Sequence, residues 1–187
     1  MNPQRFTPLT PETMTPEQRE VADEIMAGPR KGMRGPFNAL LRSPALADRA
    51  QKLGEYVRFK TSIPPRLNEL AILLTARHWT AQYEWYAHAQ LALKAGLAAD
   101  VVAAIAAGQR PASLQPEETI VYDFCHQVLE TGQASDTSFK AAVDQFGERG
   151  AVDLIGVMGY YSLVAMVLNV DRVPIPDGGK LPLAALK

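Results

Sequence analysis

The sequence predicts an all-α fold, and three observations support this. Strand-type alternation of polar and apolar residues is absent from the 187 residues. Signals that start helices recur along the chain, usually a Ser or Thr followed by Pro. The segment at 154–168, LIGVMGYYSLVAMVL, is almost wholly apolar but shorter than the ~20 residues of a membrane span, and Asp153 and Asn169 bracket it. We therefore expect a buried helix in a helical bundle there, and no membrane partner.

The first helices are predicted from their starting residues. Thr15 is placed as the N-cap, Pro16 as the first helical residue and Gln18 in capping-box position, so a helix should run to about residue 27. A basic, glycine-punctuated loop, GPRKGMRGP, follows. Pro44 starts a second helix that ends near residue 61, and Pro65 starts a third after a proline break.

The remaining helices follow from apolar periodicity and terminating residues. The third helix, RLNELAILLTAR, is apolar on most of its surface, and the fourth ends at Gly96, a suitable C′ residue. Further helices are expected at about 98–107, 116–131, 136–146 and 148–169. The final residues, DRVPIPDGGKLPLAALK, predict an extended arm of the kind that often packs on a neighbouring subunit.

Composition and charge narrow the function classes. The net charge is −1 with no evident basic patch, so a nucleic-acid partner is not expected. The single cysteine, Cys125, excludes an intrachain disulfide and a CxxC redox centre. No secretory signal is recognised, and we expect a cytoplasmic protein.

The fourth helix carries an unusual polar set on its apolar face. At 100° per residue, Glu84, Trp85 and His88 share one face with several apolar residues, whereas Tyr83 and Tyr86 fall on the opposite face. Glu84 and His88 lie one turn apart, so their side chains are close enough to interact. Hydrophobic residues would stabilise such a face more simply, so this departure is typical of a functional site.

Glu69 adds a second carboxylate from the third helix. It shares a face with apolar residues and therefore needs a partner, because an unpaired buried charge is costly. A structural ion pair that fixes helix register would explain Glu84 and His88 alone. Two carboxylates and an imidazole at one buried locus can instead share protons, and crowding of like charges would raise one carboxyl pKa.

The spacing of these residues resembles that of a known superfamily. Glu69, position 81, position 84 and His88 fit the pattern Glu-x11-Cys-x2-Cys-x3-His of the carboxymuconolactone decarboxylase, or AhpD-like, superfamily. The preceding PFNALLRSPALADRAQKLGEYVRF also resembles the family, over roughly residues 35–170. The resemblance implies an AhpD-like helical bundle that oligomerises through its helices as a homo-oligomer, commonly a trimer or hexamer. It divides the chain into an N-terminal arm (1–35), the helical domain (36–170) and a C-terminal tail (171–187).

The family's two cysteines are absent here. Ala81 and Glu84 stand in their places, so thiol–disulfide chemistry is excluded at this motif and peroxidase activity is disfavoured. Cys125 lies on another helix and is interpreted as a packing residue, beside a surface His126. The Glu84 and His88 pattern instead resembles the cysteine-free decarboxylase branch, whose reaction removes CO2 from a carboxylated lactone in the catabolism of aromatic compounds.

That resemblance implies a carboxy-lyase without a cofactor. Loss of CO2 leaves an enolate that the lactone carbonyl stabilises, so neither a metal nor an organic cofactor is required. His88 would donate the proton or hydrogen-bond the developing oxyanion, while Glu84 and Glu69 would orient His88 and set its tautomer. These three residues are the predicted catalytic set.

Three further residues are predicted to contact the substrate, each with an alternative role. His78 would line the mouth of a pocket, Trp85 would lie against the substrate unless it is simply core, and Arg77 would bind a carboxylate unless it caps its helix. Two alternatives to the lyase stay open. In the first, His78, Glu84 and His88 form a metal site of two imidazoles and one carboxylate. In the second, the polar cluster only stabilises a non-catalytic helical oligomer.

Overall fold

The computed structural model describes residues 3–29, 32–176 and 181–185, and within these ranges the fold is all-helical as predicted. Parts of the predicted arm, basic loop and tail (1–2, 30–31, 177–180 and 186–187) lie outside the described residues. The described helices are α1 (Pro16–Ala27), α2 (Phe37–Leu40), α3 (Pro44–Phe59), α4 (Pro65–His78), α5 (Gln82–Lys94), α6 (Ala99–Ala106), α7 (Pro116–Thr131) and α8 (Asp136–Asp171).

Local capping signals start the helices where the sequence places them. The α1 capping box is present: the Gln18 amide nitrogen donates to Thr15 Oγ1 over 3.3 Å, and the Thr15 amide donates to Gln18 Oε1 over 2.9 Å. The prolines predicted to start α3 and α4 are their first residues. The short helix α2 was not predicted, because its four residues carry no start signal and are fixed by the burial of Phe37.

Helix α4 forms the centre of the bundle. It packs against α5, α6, α7 and α8, and α1 packs on α3 at one side. Its central residues are fully buried, as the nearly continuous apolar sequence predicts: Leu70, Ala71, Ile72, Leu73 and Ala76. The same core reaches α1 through Ile25 and the C-terminal segment through Leu183. The division of the chain at residues 35 and 170 stays a prediction.

Helix α8 contains the apolar segment identified in the sequence. Its first part ends at Gly147, whose φ of 71° and ψ of 170° interrupt the helix before the long apolar part begins. Among the described residues, α8 alone is long and apolar enough to cross a membrane by length and composition. The most apolar 18-residue window is 56% buried inside the protein, which is also the character of a core helix in a soluble protein.

The turns at the ends of α4 and α5 determine how these two helices pack. At the end of α5, Gly96 has a φ of 97° and its neighbour Leu97 donates to the carbonyl of Ala92 over 3.0 Å, which is a Schellman motif. At the end of α4 the same motif forms around Thr80, whose φ is 48°. Because this turn reverses the chain, α5 folds back along α4.

The first and last described segments of the chain are held by specific hydrogen bonds. The carboxylate of Asp171, which is fully buried, accepts from the side chain of Gln4 and from the Phe6 amide, each over 2.8 Å. The segment 181–185 crosses the start of α5, where Gln82 exchanges two hydrogen bonds with Leu183. The tail therefore packs on its own chain in this structure.

Candidate functional site

The candidate site is centred on His88, which α5 presents to α4 and α8. Its Nδ1 atom lies 2.8 Å from Oε2 of Glu69 on α4, and only 6% of His88 is exposed. The ring of Tyr161 on α8 packs edge-on against the imidazole, with centroids 4.9 Å apart. Three helices thus fix the position of the imidazole ring. Since Glu69 engages Nδ1, Nε2 is the nitrogen left to act on another group.

Glu84 lies on the same buried face, but its environment differs from that of Glu69. It is 2% exposed, and neither carboxyl oxygen has a hydrogen-bond partner among the described residues. Burial raises the pKa of Glu84 well above its ordinary value. Burial therefore favours the neutral carboxylic acid, which can donate a hydrogen bond or a proton.

The expected roles of the two glutamates are therefore corrected. The sequence predicted that both would orient His88, but only Glu69 hydrogen-bonds to it among the described residues. The raised pKa was attributed to crowding of carboxylates, whereas its cause at Glu84 is burial. Neither carboxyl oxygen of Glu84 has a hydrogen-bond partner in the described part of the chain, and burial without a partner favours the protonated acid over an ion pair.

The thiol of the chain lies away from this cluster. Cys125 on α7 is fully buried, and burial raises the pKa of its thiol far above the ordinary value. The adjacent His126 is exposed, as expected, and stacks on Tyr122 with ring centroids 5.3 Å apart. Cys125 is thus a packing residue, which agrees with its interpretation from the sequence.

His78 is directed away from His88. Its Nδ1 lies 3.2 Å from Oε1 of Glu130 on α7, and its ring meets the edge of Trp79 at 5.6 Å. In the ranges that the structure describes, no group of three or more His, Cys, Asp or Glu side chains is arranged to hold a metal ion. The alternative metal site formed by His78, Glu84 and His88 therefore has no support in the described residues.

The aromatic residues of α5 divide between core and surface. Trp85 is 4% exposed and belongs to the hydrophobic core, which is the alternative role considered for it. Tyr86 is exposed, as the helical wheel predicts. Tyr83 was predicted to face outward with it, and this is wrong: Tyr83 is half-buried and packs against the core. The wheel fails there because the loop at Gly35 covers that side of α5, so that a Cβ at Gly35 would lie 3.3 Å from the Tyr83 ring.

Arg77 is the last candidate, and its partner comes from the tail. Its Nη1 donates to the carbonyl oxygen of Ala184 over 2.8 Å, and the residue is only 5% exposed. Burial also lowers the pKa of its guanidinium. Arg77 therefore does not act mainly as a cap of α4. Sequence reasoning missed Gln82, which holds the tail beside Arg77, because no local pattern marks a long-range contact of this kind.

Two surface clefts lie elsewhere. One, of about 650 Å³, runs between α1 and α3. The other, of about 340 Å³, is an apolar groove lined by residues of α2, α3 and α8 such as Leu40, Leu46 and Val170. Neither cleft is lined by Glu69, Glu84 or His88, so the candidate site is a buried polar cluster enclosed by α4, α5 and α8.

No family model matches the chain, and no curated protein is similar enough to it to count as a match. The function is therefore argued from the side chains themselves. The arrangement combines an oriented imidazole, a carboxylate that fixes it and a neutral carboxylic acid in an apolar environment. Such a set suits proton transfer to and from a bound organic molecule.

Proposed function

We propose that this protein is a cofactor-free enzyme of the carboxymuconolactone decarboxylase type, acting on a small carboxylated lactone or a related ring-cleavage product. The observation that carries the proposal is the buried hydrogen bond between Glu69 and His88 beside the neutral acid Glu84. A purely structural role does not explain the isolated carboxyl group of Glu84, because an apolar residue of similar size would stabilise the core better.

The chemistry divides between the three residues. When CO2 leaves, the electron pair of the broken bond moves onto the lactone carbonyl as an enolate, and the enolate carbon then takes up a proton. Glu69 accepts a hydrogen bond from Nδ1–H of His88, and when the ring carries both protons, Nε2–H hydrogen-bonds the enolate oxygen or delivers its proton to the enolate carbon. Burial favours the neutral form of Glu84, whose hydroxyl can act as a second donor on the same face of α5.

The same geometry supports membership of the cysteine-free branch of the AhpD-like superfamily. The sequence spacing between Glu69 and His88 is the feature that resembles the family. These two residues hydrogen-bond to each other. Ala81 and Glu84 stand at the positions of the family's cysteines. A thiol peroxidase is disfavoured because the buried Cys125 thiol lacks thiolate character.

We further propose that the protein is a cytoplasmic homo-oligomer, a trimer or hexamer, that assembles through its helices. An apolar stripe of four exposed residues lies along one side of α8. It consists of two pairs that are eleven residues apart, Val152 with Ile155 and Met166 with Val170, which are 41% to 66% exposed. Exposed apolar patches mark interfaces more often than free surface. The single cysteine agrees with a reducing compartment.

The test is CO2 release from a panel of carboxylated lactones and ring-cleavage acids, with purified full-length protein. We expect at least one substrate, and a loss of about 10²-fold or more in kcat for His88→Gln. His126→Gln is the matched control, since that histidine is exposed on α7 and stacks on Tyr122. Turnover that survives His88→Gln unchanged would leave the cluster with a structural role only.

A further inference from the structure

Arg77 is a buried cation that has no acidic partner in the described part of the chain. It is 5% exposed, no carboxylate forms an ion pair with it among the described residues, and its Nε lacks a hydrogen-bond partner there. Arg66, on the same helix, shows the ordinary solution: it pairs with both Glu117 and Glu118. A guanidinium that is removed from water and satisfied only by a neutral carbonyl loses hydration without a matching charge.

The groups around Arg77 also favour an anion. Gln82, the first residue of α5, places an amide next to the segment that Arg77 binds. The N-cap of α5 is Ala81, which offers no side-chain acceptor to the free amides of the first turn. A helix N-terminus and a guanidinium both attract negative charge. Arg77 supplies the independent observation, since its buried Nε has no partner in the described chain.

The C-terminal segment occupies this place through backbone groups. Gln82 Nε2 donates to the carbonyl of Leu183 over 2.8 Å, the Leu183 amide donates to Gln82 Oε1 over 2.9 Å, and Ala184 supplies the carbonyl that Arg77 binds. The side chain of Leu183 is 3% exposed and anchors the segment, whereas Leu181 is 46% exposed. The neutral carbonyls of Leu183 and Ala184 therefore accept the hydrogen bonds of Gln82 and Arg77. A carboxylate in their place would make charge-assisted, bidentate hydrogen bonds to the guanidinium.

We propose that Arg77, near the end of α4, and Gln82, at the start of α5, form a binding site for a carboxylate of a small organic acid. In this structure the segment 181–185 occupies the site as a displaceable internal ligand. Arg77 follows Glu69 by eight residues, which is about 12 Å along α4. The site thus anchors an acid at a distance from the proton-transfer groups. The inference rests on the proposed function only for the view that this acid is the substrate.

The experiment measures binding of glutarate by isothermal titration calorimetry, with glutaramide as the neutral analogue. The full chain is compared with Leu183→Ala, which loosens the segment but keeps Arg77 and Gln82, and with Leu181→Ala as the matched control. We expect Leu183→Ala to bind glutarate at least fivefold more tightly than the full chain. Leu181→Ala should match the full chain, and glutaramide should not bind to any of the proteins.

Two further variants complete the test. A chain that ends at residue 180 should bind glutarate at least tenfold more tightly than the full chain, and a synthetic peptide of residues 181–187 should compete with glutarate for it. Arg77→Gln in the Leu183→Ala background should abolish binding. Equal affinity in the full chain and in Leu183→Ala, or binding that survives Arg77→Gln, would overturn the inference. Because this assay needs no turnover, failure of CO2 release with intact glutarate binding refutes the proposed reaction alone.

Discussion

The Nδ1 atom of His88 lies 2.8 Å from Oε2 of Glu69, and this contact joins α5 to α4 inside the bundle. The carboxylate accepts a hydrogen bond from Nδ1–H, so Nε2 is the ring nitrogen left to act on another group. Glu84, one turn earlier on α5, does not share this role, because neither of its carboxyl oxygens has a hydrogen-bond partner among the described residues, and burial favours its neutral form. The two glutamates of the site are thus chemically distinct.

The Glu69→Gln variant tests the orienting role. A glutamine amide can still hydrogen-bond Nδ1 but carries no charge to stabilise a protonated imidazole. We expect kcat for CO2 release to fall by about 10²-fold with little change in KM, because the lost interaction forms only as the proton moves. Glu117→Gln is the control: this glutamate on α7 is half-buried and pairs with Arg66 instead of His88, so the variant should keep the wild-type kcat. An unchanged kcat in Glu69→Gln would remove the orienting role.

The protonated state of Glu84 predicts a pH dependence of stability. Its pKa in the folded state is raised by burial, so between the ordinary value of 4.5 and the folded pKa the folded protein binds more protons than the unfolded chain. Stability from this group is therefore highest at low pH and falls as pH rises, by up to about 1.4 kcal/mol per pH unit. Glu84→Gln cannot titrate and should lose the slope that this group contributes.

The measurement is the free energy of unfolding by urea at pH 5, 6, 7 and 8. The advantage of Glu84→Gln over the wild type should grow with pH across this series. The control is Glu148→Gln, an exposed glutamate after the break in α8, whose difference from wild type should stay flat. A constant difference between Glu84→Gln and the wild type would mean that Glu84 is ionised in the folded protein.

The sequence predicts those features that local interactions determine. The capping box at Thr15 and the glycine turn at Gly96 each depend on residues within a few positions, and both were predicted correctly. The placement of Glu84 and His88 on the buried face also follows from helical periodicity alone. Which glutamate reaches the imidazole depends on how α4 and α5 pack, and no local pattern carries that information.

The same reasoning explains the contacts that the sequence did not reveal. The ring contact between Tyr161 and His88 depends on the rotation of α8 in the bundle, which no local pattern determines. The hydrogen bonds of the tail join residues about 100 positions apart: Gln82 and Leu183 differ by 101 and Arg77 and Ala184 by 107. Proline and glycine content predicted an extended tail but could not predict its docking place.

The turn between α4 and α5 carries backbone strain that a single substitution should relieve. Thr80 has a φ of 48°, a region that a β-branched residue rarely adopts. Glycine accepts this conformation, so we expect Thr80→Gly to raise the free energy of unfolding by about 0.5–1 kcal/mol, despite the entropy that glycine adds to the unfolded chain.

The matched variant is Gly96→Ala, at the equivalent turn that ends α5. An added Cβ there would meet no atom closer than the 3.7 Å to Arg66 Cδ, so its cost is a backbone cost at a φ of 97°. We expect a loss of about 1 kcal/mol. Urea unfolding of both variants gives the two values, and a Thr80→Gly protein less stable than the wild type would show that the threonine side chain outweighs its strain.

The burial of Cys125 predicts an inert thiol. It is fully buried, and burial raises the pKa of its thiol, so little thiolate forms at neutral pH. Labelling by Ellman's reagent at pH 7.5 should be at least 10²-fold slower in the native protein than in 6 M guanidinium chloride. The Cys125→Ala protein should keep full CO2-release activity. Rapid labelling of the native protein would reopen a thiol-based reaction.

The exposed stripe of α8 is the surface through which we expect the proposed oligomer to assemble. Ile155 and Met166 are 49% and 41% exposed and are separated by eleven residues, or about three turns, so both lie on one side of the helix. A charge at each position would have to be buried without a partner in a subunit contact, at a cost that separates the subunits. We expect the double variant Ile155→Arg with Met166→Arg to elute as a monomer of 20.4 kDa in size-exclusion chromatography with light scattering, whereas the wild type elutes as a larger species.

Phe139→Arg is the control: it is 51% exposed but precedes the break at Gly147, away from the stripe, and should leave the assembly intact. A monomeric wild type would refute the oligomer, and a double variant that still assembles would place the interface on another surface.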